Sequence, residues 1–254
     1  MKVKPILFSG EMVRALLDGR KTQTRRIVKR IPCSCGEWIP EEMCATTSEG
    51  WQTSGHSGRW WCECCSNDSV AINCPYGKPG DVLWVRETWA SDDGRSFWYR
   101  ADGETYNAGL PWKPSIHMPR LATRITLEIE SVRVERLQDI SEEDAKAEGL
   151  FAQEGDGGAP GPGYKWRGIG YHGAGYGDFG KTFHTPHWDG SPGCSCNVRG
   201  PSPAQCAFRE LWDSINAKRG YGWESNPWAW VLQFKVHKMN VDEFLKQASI
   251  TGHP

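Results

Sequence analysis

The stretch Gly19-Arg20-Lys21-Thr22-Gln23-Thr24-Arg25-Arg26 sets four cations and two hydroxyls into eight residues, directly after an amphipathic helix. Such a run suits neither a buried core nor a plain linker. It can grip an anion, and it places a possible nucleophile beside a possible base, so it is expected to form the floor of an active or binding site. The preceding residues fix its position. Lys2 to Phe8 reads as a first strand, and Ser9 is placed to cap a helix from about Gly10 to Asp18. Met12, Val13, Leu16 and Leu17 share one face of that helix, and Gly19 suits the position just past its end. The run therefore leaves the C-terminal end of the helix, where the helix dipole favours cations.

Outward from the run, charge is distributed unevenly. The formal net charge of the 254 residues is only −1. Yet Arg14, Arg20, Lys21, Arg25, Arg26, Lys29 and Arg30 face a single acid, Asp18, between Met12 and Arg30. A local basic patch on a near-neutral chain points to a specific anionic or nucleotide-like partner rather than to bulk polyanion binding. Hydrophobic content of 38% is enough for a core. The 14 tryptophans are expected mostly in that core, with some available as stacking platforms. No secretory signal pattern and no apolar run of membrane-spanning length is present, so a soluble cytoplasmic protein is expected, with its ten cysteines as thiols or metal ligands.

Further along, Tyr76 to Asp81 carries a turn signal, followed by a strand over Val82 to Arg86 and another over Ser96 to Ala101. Ala122 to Arg136 reads as a long strand or hairpin whose alternation slips at Glu130-Ser131, predicting a bulge or bend. Ser141 caps a short acidic-fronted helix that runs to about Glu148 and stops at Gly149. Ser202 and Pro203 open a helix with Phe208, Leu211, Trp212 and Ile215 on one face. Trp228 to Val236 alternates as a closing strand, and Asp242 to Ala248 forms a short terminal helix. Two segments break this order. Residues 33–74 hold seven cysteines and little periodicity, and residues 151–206 hold 14 of the 29 glycines. The expected fold is α+β: a single domain over residues 1–254, a mixed β-barrel with flanking helices and insertions at 33–74 and 151–206.

The chemistry centres on Lys21, Thr24 and Glu148. A threonine hydroxyl is a poor nucleophile unless a base takes its proton, and lysine is such a base only when neutral. Neighbouring Arg20, Arg25 and Arg26 depress a lysine pKa by like charge, whereas a carboxylate raises it. Glu148 lies in the last turn of its helix, where the dipole disfavours an anion. Two readings stand for it: an exposed residue with a small penalty, or an acid placed to meet a cationic site. By spacing alone Thr24 reads first as a capping or turn residue and Lys21 as a solvated cation, although seven cations in one region sit poorly with pure solvation.

The run resembles the G-R-K-T-x-T-x-R signature of ASCH domains, which are PUA-like β-barrels. Pro79-Gly80-Asp81-Val82-Leu83 resembles the family's G-D-x-L element, Ser141 to Gly149 its helix ending in a glutamate, and Trp230 to Lys235 its closing strand. The likeness covers roughly 1–32, 75–150 and 207–238. With Trp84-Val85-Arg86-Glu87-Thr88-Trp89 and Ser115-Ile116-His117-Met118-Pro119-Arg120, the chain looks like a long form common in phages and prophages. Small bacterial ASCH proteins include amidohydrolases that remove the acyl group from N4-acetylcytidine. The resemblance implies Lys21 as general base, Thr24 as acyl-accepting nucleophile and Glu148 as orienter or proton relay. It makes Arg26 or backbone N–H groups the oxyanion donors, requires no catalytic cofactor, and implies a modified cytidine nucleoside or RNA as partner. Arg20, Arg25, His117 and Arg120 are further expected substrate contacts. The small enzymes lack both insertions. A non-catalytic RNA or modified-nucleotide binding module is the rival reading, since fold membership does not establish hydrolysis. A phage accessory protein whose insertions bind a protein partner is a third.

Cys33-Ser34-Cys35 and Cys62-Glu63-Cys64-Cys65 offer a C-x-C and a C-x-x-C. Cys33, Cys35, Cys62 and Cys65 can supply four thiolates to a structural zinc, with Cys44, Cys74 and His56 as spare ligands. Cys194 and Cys196 could join the site or stay free. The alternative is a thiol-rich loop without metal.

Overall fold

The structure is a computed structural model that describes residues 1–29, 51–53, 59–62, 72–103, 109–153, 165–167 and 203–250. Its elements run in the order β1 (Val3–Leu7), α1 (Gly10–Leu17), β2 (Gln23–Ile27), β3 (Trp51–Thr53), β4 (Arg59–Cys62), β5 (Ile72–Asn73), β6 (Val82–Arg86), β7 (Trp89–Ala90), β8 (Trp98–Tyr99), β9 (Thr126–Arg136), α2 (Glu142–Ala147), β10 (Phe151–Gln153), β11 (Lys165–Arg167), α3 (Pro203–Asn216), β12 (Trp228–His237) and α4 (Val241–Ile250). The expected α+β class is found, as a mixed sheet with helices around it.

The central sheet has five strands in the order β1-β6-β9-β12-β2. β1 runs parallel to β6, and the other three pairings are antiparallel. The long β9–β12 ladder runs from Trp228 opposite Arg136 to His237 opposite Thr126. Its register shifts between Gln233 and Phe234, where the partner passes from Ser131 to Ile129 and leaves Glu130 unpaired. The slip in alternation at Glu130-Ser131 is therefore a β-bulge, and it keeps the apolar residues on both sides of it directed into one core. One expected strand is much shorter: of Ser96 to Ala101, only Trp98 and Tyr99 pair, before a 3-10 turn over Arg100–Asp102.

The main core lies on one face of this sheet. Ile6, Phe8, Leu83, Val85, Ile125, Leu127, Ile129, Trp230, Leu232 and Phe234 meet Val13 and Leu16 of α1 there. On the opposite face, α4 covers Val82 and Trp84 through Val241, Phe244 and Leu245. α2 and α3 form a further cluster in which Leu137, Ile140, Phe208, Trp212 and Trp223 pack together. Each fully buried aromatic or aliphatic side chain of this kind contributes roughly 1.5–3 kcal/mol.

Among the described residues the strands form an open sheet and do not close into the expected barrel. β1 and β2 are the two edges, and no ladder joins them among the described residues. A side chain bridges the gap instead: Arg26 Nη2 on β2 donates to the Leu7 carbonyl on β1 at 2.8 Å. The Arg26 guanidinium also lies 5.0 Å from the centre of the Phe8 ring.

The two expected insertions fall largely outside the described residues. Of the first, β3, β4 and β5 form a small antiparallel sheet; of the second, β10 and β11 form an antiparallel pair. Among the described residues, no helix is long and apolar enough to cross a membrane.

Candidate functional site

The cationic run is held in place from both ends. At its start, Gly19 adopts a left-handed φ of 73°, and the amides of Arg20 and Lys21 both donate to the Ala15 carbonyl, at 2.9 and 3.1 Å. This closes α1 and turns the chain toward the sheet. At its far end the run becomes β2, with Thr24 opposite Leu232 and Arg26 opposite Trp230 on β12.

Strand geometry then divides the labour. Cross-strand partners share a face, so Thr24 and Arg26 belong to the face of the main core, with Leu232 and Trp230. Arg25 belongs to the other face, where its guanidinium lies 5.8 Å from the Phe208 ring of α3. The expectation that the run avoids the interior is overturned: Lys21, Gln23, Thr24 and Arg25 are all buried. Lys21, Gln23 and Arg25 are tolerated there because the elements around them supply partners.

Most of those partners sit at the end of α2. Ser141 Oγ accepts from the Asp144 amide at 3.0 Å and starts the helix, and Gly149, with φ of 98°, ends it. Three consecutive residues of the run then meet three consecutive residues of this terminus. Arg20 Nη1 donates to the Gly149 carbonyl at 2.9 Å, and the Thr22 amide donates to the Ala147 carbonyl at 3.0 Å. Between them, Lys21 Nζ donates to the Glu148 carbonyl at 2.9 Å and to Glu148 Oε2 at 2.8 Å. Of the two readings of Glu148, the exposed residue is excluded: it is 4% exposed and paired with a lysine that is 0% exposed. The carbonyls left unpaired at the helix end help to hold the cation, and the cation offsets the unfavourable placing of the carboxylate.

The electrostatics of Lys21 follow from this cage. Burial pushes its pKa below the ordinary lysine value. Glu148 opposes the shift by charge and hydrogen bonding, and Arg26 and then Arg25 add to it. Two of the three ammonium protons are used by Glu148. The third, and the Thr24 hydroxyl, make no hydrogen bond to protein among the described residues. The Phe8 ring lies 5.8 Å from Lys21 Nζ, so Phe8 contacts both Lys21 and Arg26. Burial depresses the Arg26 pKa as well, although a guanidinium stays protonated.

Behind Glu148 stands a second charge cluster that the sequence reading missed. Arg25 Nη2 donates to Asp144 Oδ2 at 2.8 Å and to Glu135 Oε2 at 3.0 Å, while its Nη1 lies 3.5 Å from Glu148 Oε1. Arg133 donates to both oxygens of Asp144 and also bonds Glu135. The available signal was the polar half of the β9 alternation, in which Arg133 and Glu135 interleave with Val132 and Val134.

The other expected substrate contacts are not brought to this site. His117 is exposed on a 3-10 turn over Ser115–His117. Arg120 pairs with Asp242 of α4 at 2.7 Å. Neither contacts Lys21, Thr24 or Glu148 among the described residues. Met118, just past the turn, instead meets a further buried acid, its Sδ accepting from the Glu87 amide at 3.2 Å. Arg86 Nε donates to the Met118 carbonyl at 3.1 Å, and Glu87, 1% exposed, is bonded at both oxygens by Arg124, which also bonds both oxygens of Asp102. A cavity of about 400 Å³ lies nearby, lined by Phe97, Trp98, Tyr99 and Asp102, and Lys21 and Thr24 do not line it.

The expected zinc ligands Cys33, Cys35 and Cys65 lie outside the described residues, as does the side chain of Cys62. Among the described residues, no group of three His, Cys, Asp or Glu is placed to hold a metal, and the spare candidate Cys74 is buried in the main core. Comparisons with family models, with curated proteins and with solved structures return no match.

Proposed function

We propose that the chain is an ASCH-type, PUA-like protein and an amidohydrolase that removes the acyl group from N4-acylated cytidine through Lys21, Thr24 and Glu148. The observation that carries this reading is the Lys21–Glu148 pair. A lysine with no exposed surface is held at two points by one glutamate, yet burial, aided by the charges of Arg26 and Arg25, outweighs that carboxylate, so its proton is bound less tightly than that of a free lysine. The motif likeness supports it by placing Thr24, whose hydroxyl has no protein partner among the described residues, three positions further on.

In this mechanism neutral Lys21 takes the Thr24 hydroxyl proton as Oγ1 attacks the acyl carbonyl. The tetrahedral intermediate collapses by breaking the C–N bond, and the N4 amine leaves with a proton returned from the Lys21 ammonium. Water then attacks the acyl-threonine, giving up a proton through Lys21 and Glu148, and the carboxylic acid is released with Thr24 restored. Arg26, whose Nε is buried without a partner, is a side-chain donor available to the developing oxyanion. Because Lys21 and Thr24 are buried, substrate entry requires a local opening over them.

That same burial favours a second reading. A fully enclosed, doubly bonded ion pair can serve as a structural clamp in a non-catalytic RNA or modified-nucleotide binding module. The deciding experiment incubates wild type, Thr24→Ala and Lys21→Ala with N4-acetylcytidine and longer-chain N4-acyl analogues and follows the loss of absorbance. Turnover by wild type and its loss in both variants is expected. No turnover by folded wild type, with salt-sensitive retention of RNA, would establish the binding module instead.

A further inference from the structure

Arg25 occupies a position that the G-R-K-T-x-T-x-R signature leaves open, so the resemblance assigns it no role. Its surroundings do. Its side chain is 1% exposed and faces acids from two elements: Glu135 of β9, and Asp144 and Glu148 of α2 and its end. Arg133 of β9 shares Asp144 and Glu135 with it, and the Phe208 ring of α3 covers it. Its Nη1 and Nε, and Glu148 Oε1, are buried without a hydrogen-bond partner, and the ion-pair contact of 3.5 Å between Nη1 and Oε1 is too long to satisfy them. Glu148 thus stands between two cations: Lys21 on Oε2, and Arg25 on the side of Oε1.

We propose that Arg25 is the positioning residue of this site, anchored by Asp144 and Glu135 so that it holds Glu148 by its second oxygen and fixes the carboxylate that cages Lys21. Its functional meaning rests on the amidohydrolase reading above. The charge of Arg25 shares the carboxylate with Lys21 and so weakens the pull of Glu148 on the lysine proton. Three charged groups face that ammonium: Glu148 from the end of α2, and Arg25 and Arg26 from β2. Removing Arg25 leaves Glu148 to act on Lys21 with one opposing charge fewer. The direction is then fixed: Lys21 becomes more basic, and less of it is neutral at any given pH.

The experiment follows the Lys21 ammonium resonance by heteronuclear NMR through a pH titration, in wild type, Arg25→Gln and Arg25→Lys, beside pH–rate profiles for N4-acetylcytidine. In Arg25→Gln the Lys21 midpoint is expected to rise by about one pH unit. The ascending limb of kcat should move up with it, with about a tenfold loss of kcat on that limb and recovery at higher pH. Arg25→Lys, which keeps the charge without the fork, is expected to lie between the two. Should Arg25→Gln fail to fold, Arg25→Gln/Asp144→Asn removes the cation together with its anchor, and its midpoint is compared with that of Asp144→Asn alone. A Lys21 midpoint unmoved or lowered in a folded variant overturns the inference, as does a loss of rate equal at every pH. Absence of turnover by wild type, with the midpoint still rising, overturns the amidohydrolase reading and leaves the positioning role standing.

Discussion

Lys21 donates both to the side chain and to the main-chain carbonyl of Glu148, so a single ammonium locks the position and the rotamer of the acid at the end of α2. The two residues are 127 positions apart in the chain. The bond therefore joins the turn after α1 to the helix that follows β9, on the open edge of the sheet beside β2.

Glu148→Gln removes the group that opposes burial, so the Lys21 pKa should fall further below its ordinary value. A buried lysine with a depressed folded pKa contributes most to stability above its unfolded value, and that contribution is lost as pH falls through the folded value. Glu148→Gln is expected to cost about 3 kcal/mol near neutral pH, with the deficit narrowing as the pH is raised toward the ordinary lysine range. Urea unfolding across that range measures it. The double variant Lys21→Met/Glu148→Gln should cost less than the sum of the single changes, because no unpaired charge remains buried.

Asp144 works in the opposite direction. Burial raises its pKa, but hydrogen bonds from Arg25 and Arg133 outweigh that and leave it below the usual carboxylate value. Its contribution is present above the unfolded value and is lost as pH falls through the lowered folded value. Wild-type stability should therefore fall more steeply than that of Asp144→Asn below about pH 4. Parallel slopes in acid urea titrations would remove Asp144 from the account of the acid limb.

Arg26 is the described side-chain link between the two sheet edges. Arg26→Met forfeits the hydrogen bond to the Leu7 carbonyl and the cation–ring contact with Phe8. A loss of about 1–2 kcal/mol is expected. Amide exchange at Phe8, whose N–H donates to the Arg86 carbonyl at 3.2 Å, should quicken more than exchange in the β9–β12 ladder. Uniform acceleration across both would mean that Arg26 stabilises the whole sheet and not the junction.

Much of the scaffold is legible in the sequence because it is written in local patterns. The capping serines Ser9 and Ser141, the stop at Gly149 and the β9 bulge each follow from a few adjacent residues. β2 is not legible, because Gln23, Arg25 and Arg26 read as solvent-exposed when considered alone. The burial of Arg25 depends on acids contributed by β9 and α2, more than 100 residues away. Barrel closure illustrates the same limit: strands can be read one by one, but whether β1 meets β2 is decided by what lies between them. Pairing Lys21 with Glu148 came from the motif likeness; periodicity offered Glu148 only as a misplaced acid.

The Glu87–Arg124–Asp102 triad gives a final asymmetry. Burial raises the Glu87 pKa, and the Arg124 guanidinium opposes the rise through two hydrogen bonds. A carboxyl with a raised folded pKa contributes most below its unfolded value, and that contribution is lost as pH rises through the folded value. Arg124→Met leaves Glu87 buried and unpaired, and should cost about 2–4 kcal/mol near neutral pH. Protonation of Glu87 relieves the strain, so the deficit should shrink toward about pH 4. Glu87→Gln leaves Arg124 bonded to both oxygens of Asp102 and should cost less than Arg124→Met at neutral pH. Paired urea titrations at the two pH values separate these expectations. An Arg124→Met deficit independent of pH would assign its cost to lost packing on Tyr99, over whose ring the guanidinium lies at 4.0 Å, rather than to the stranded charge of Glu87.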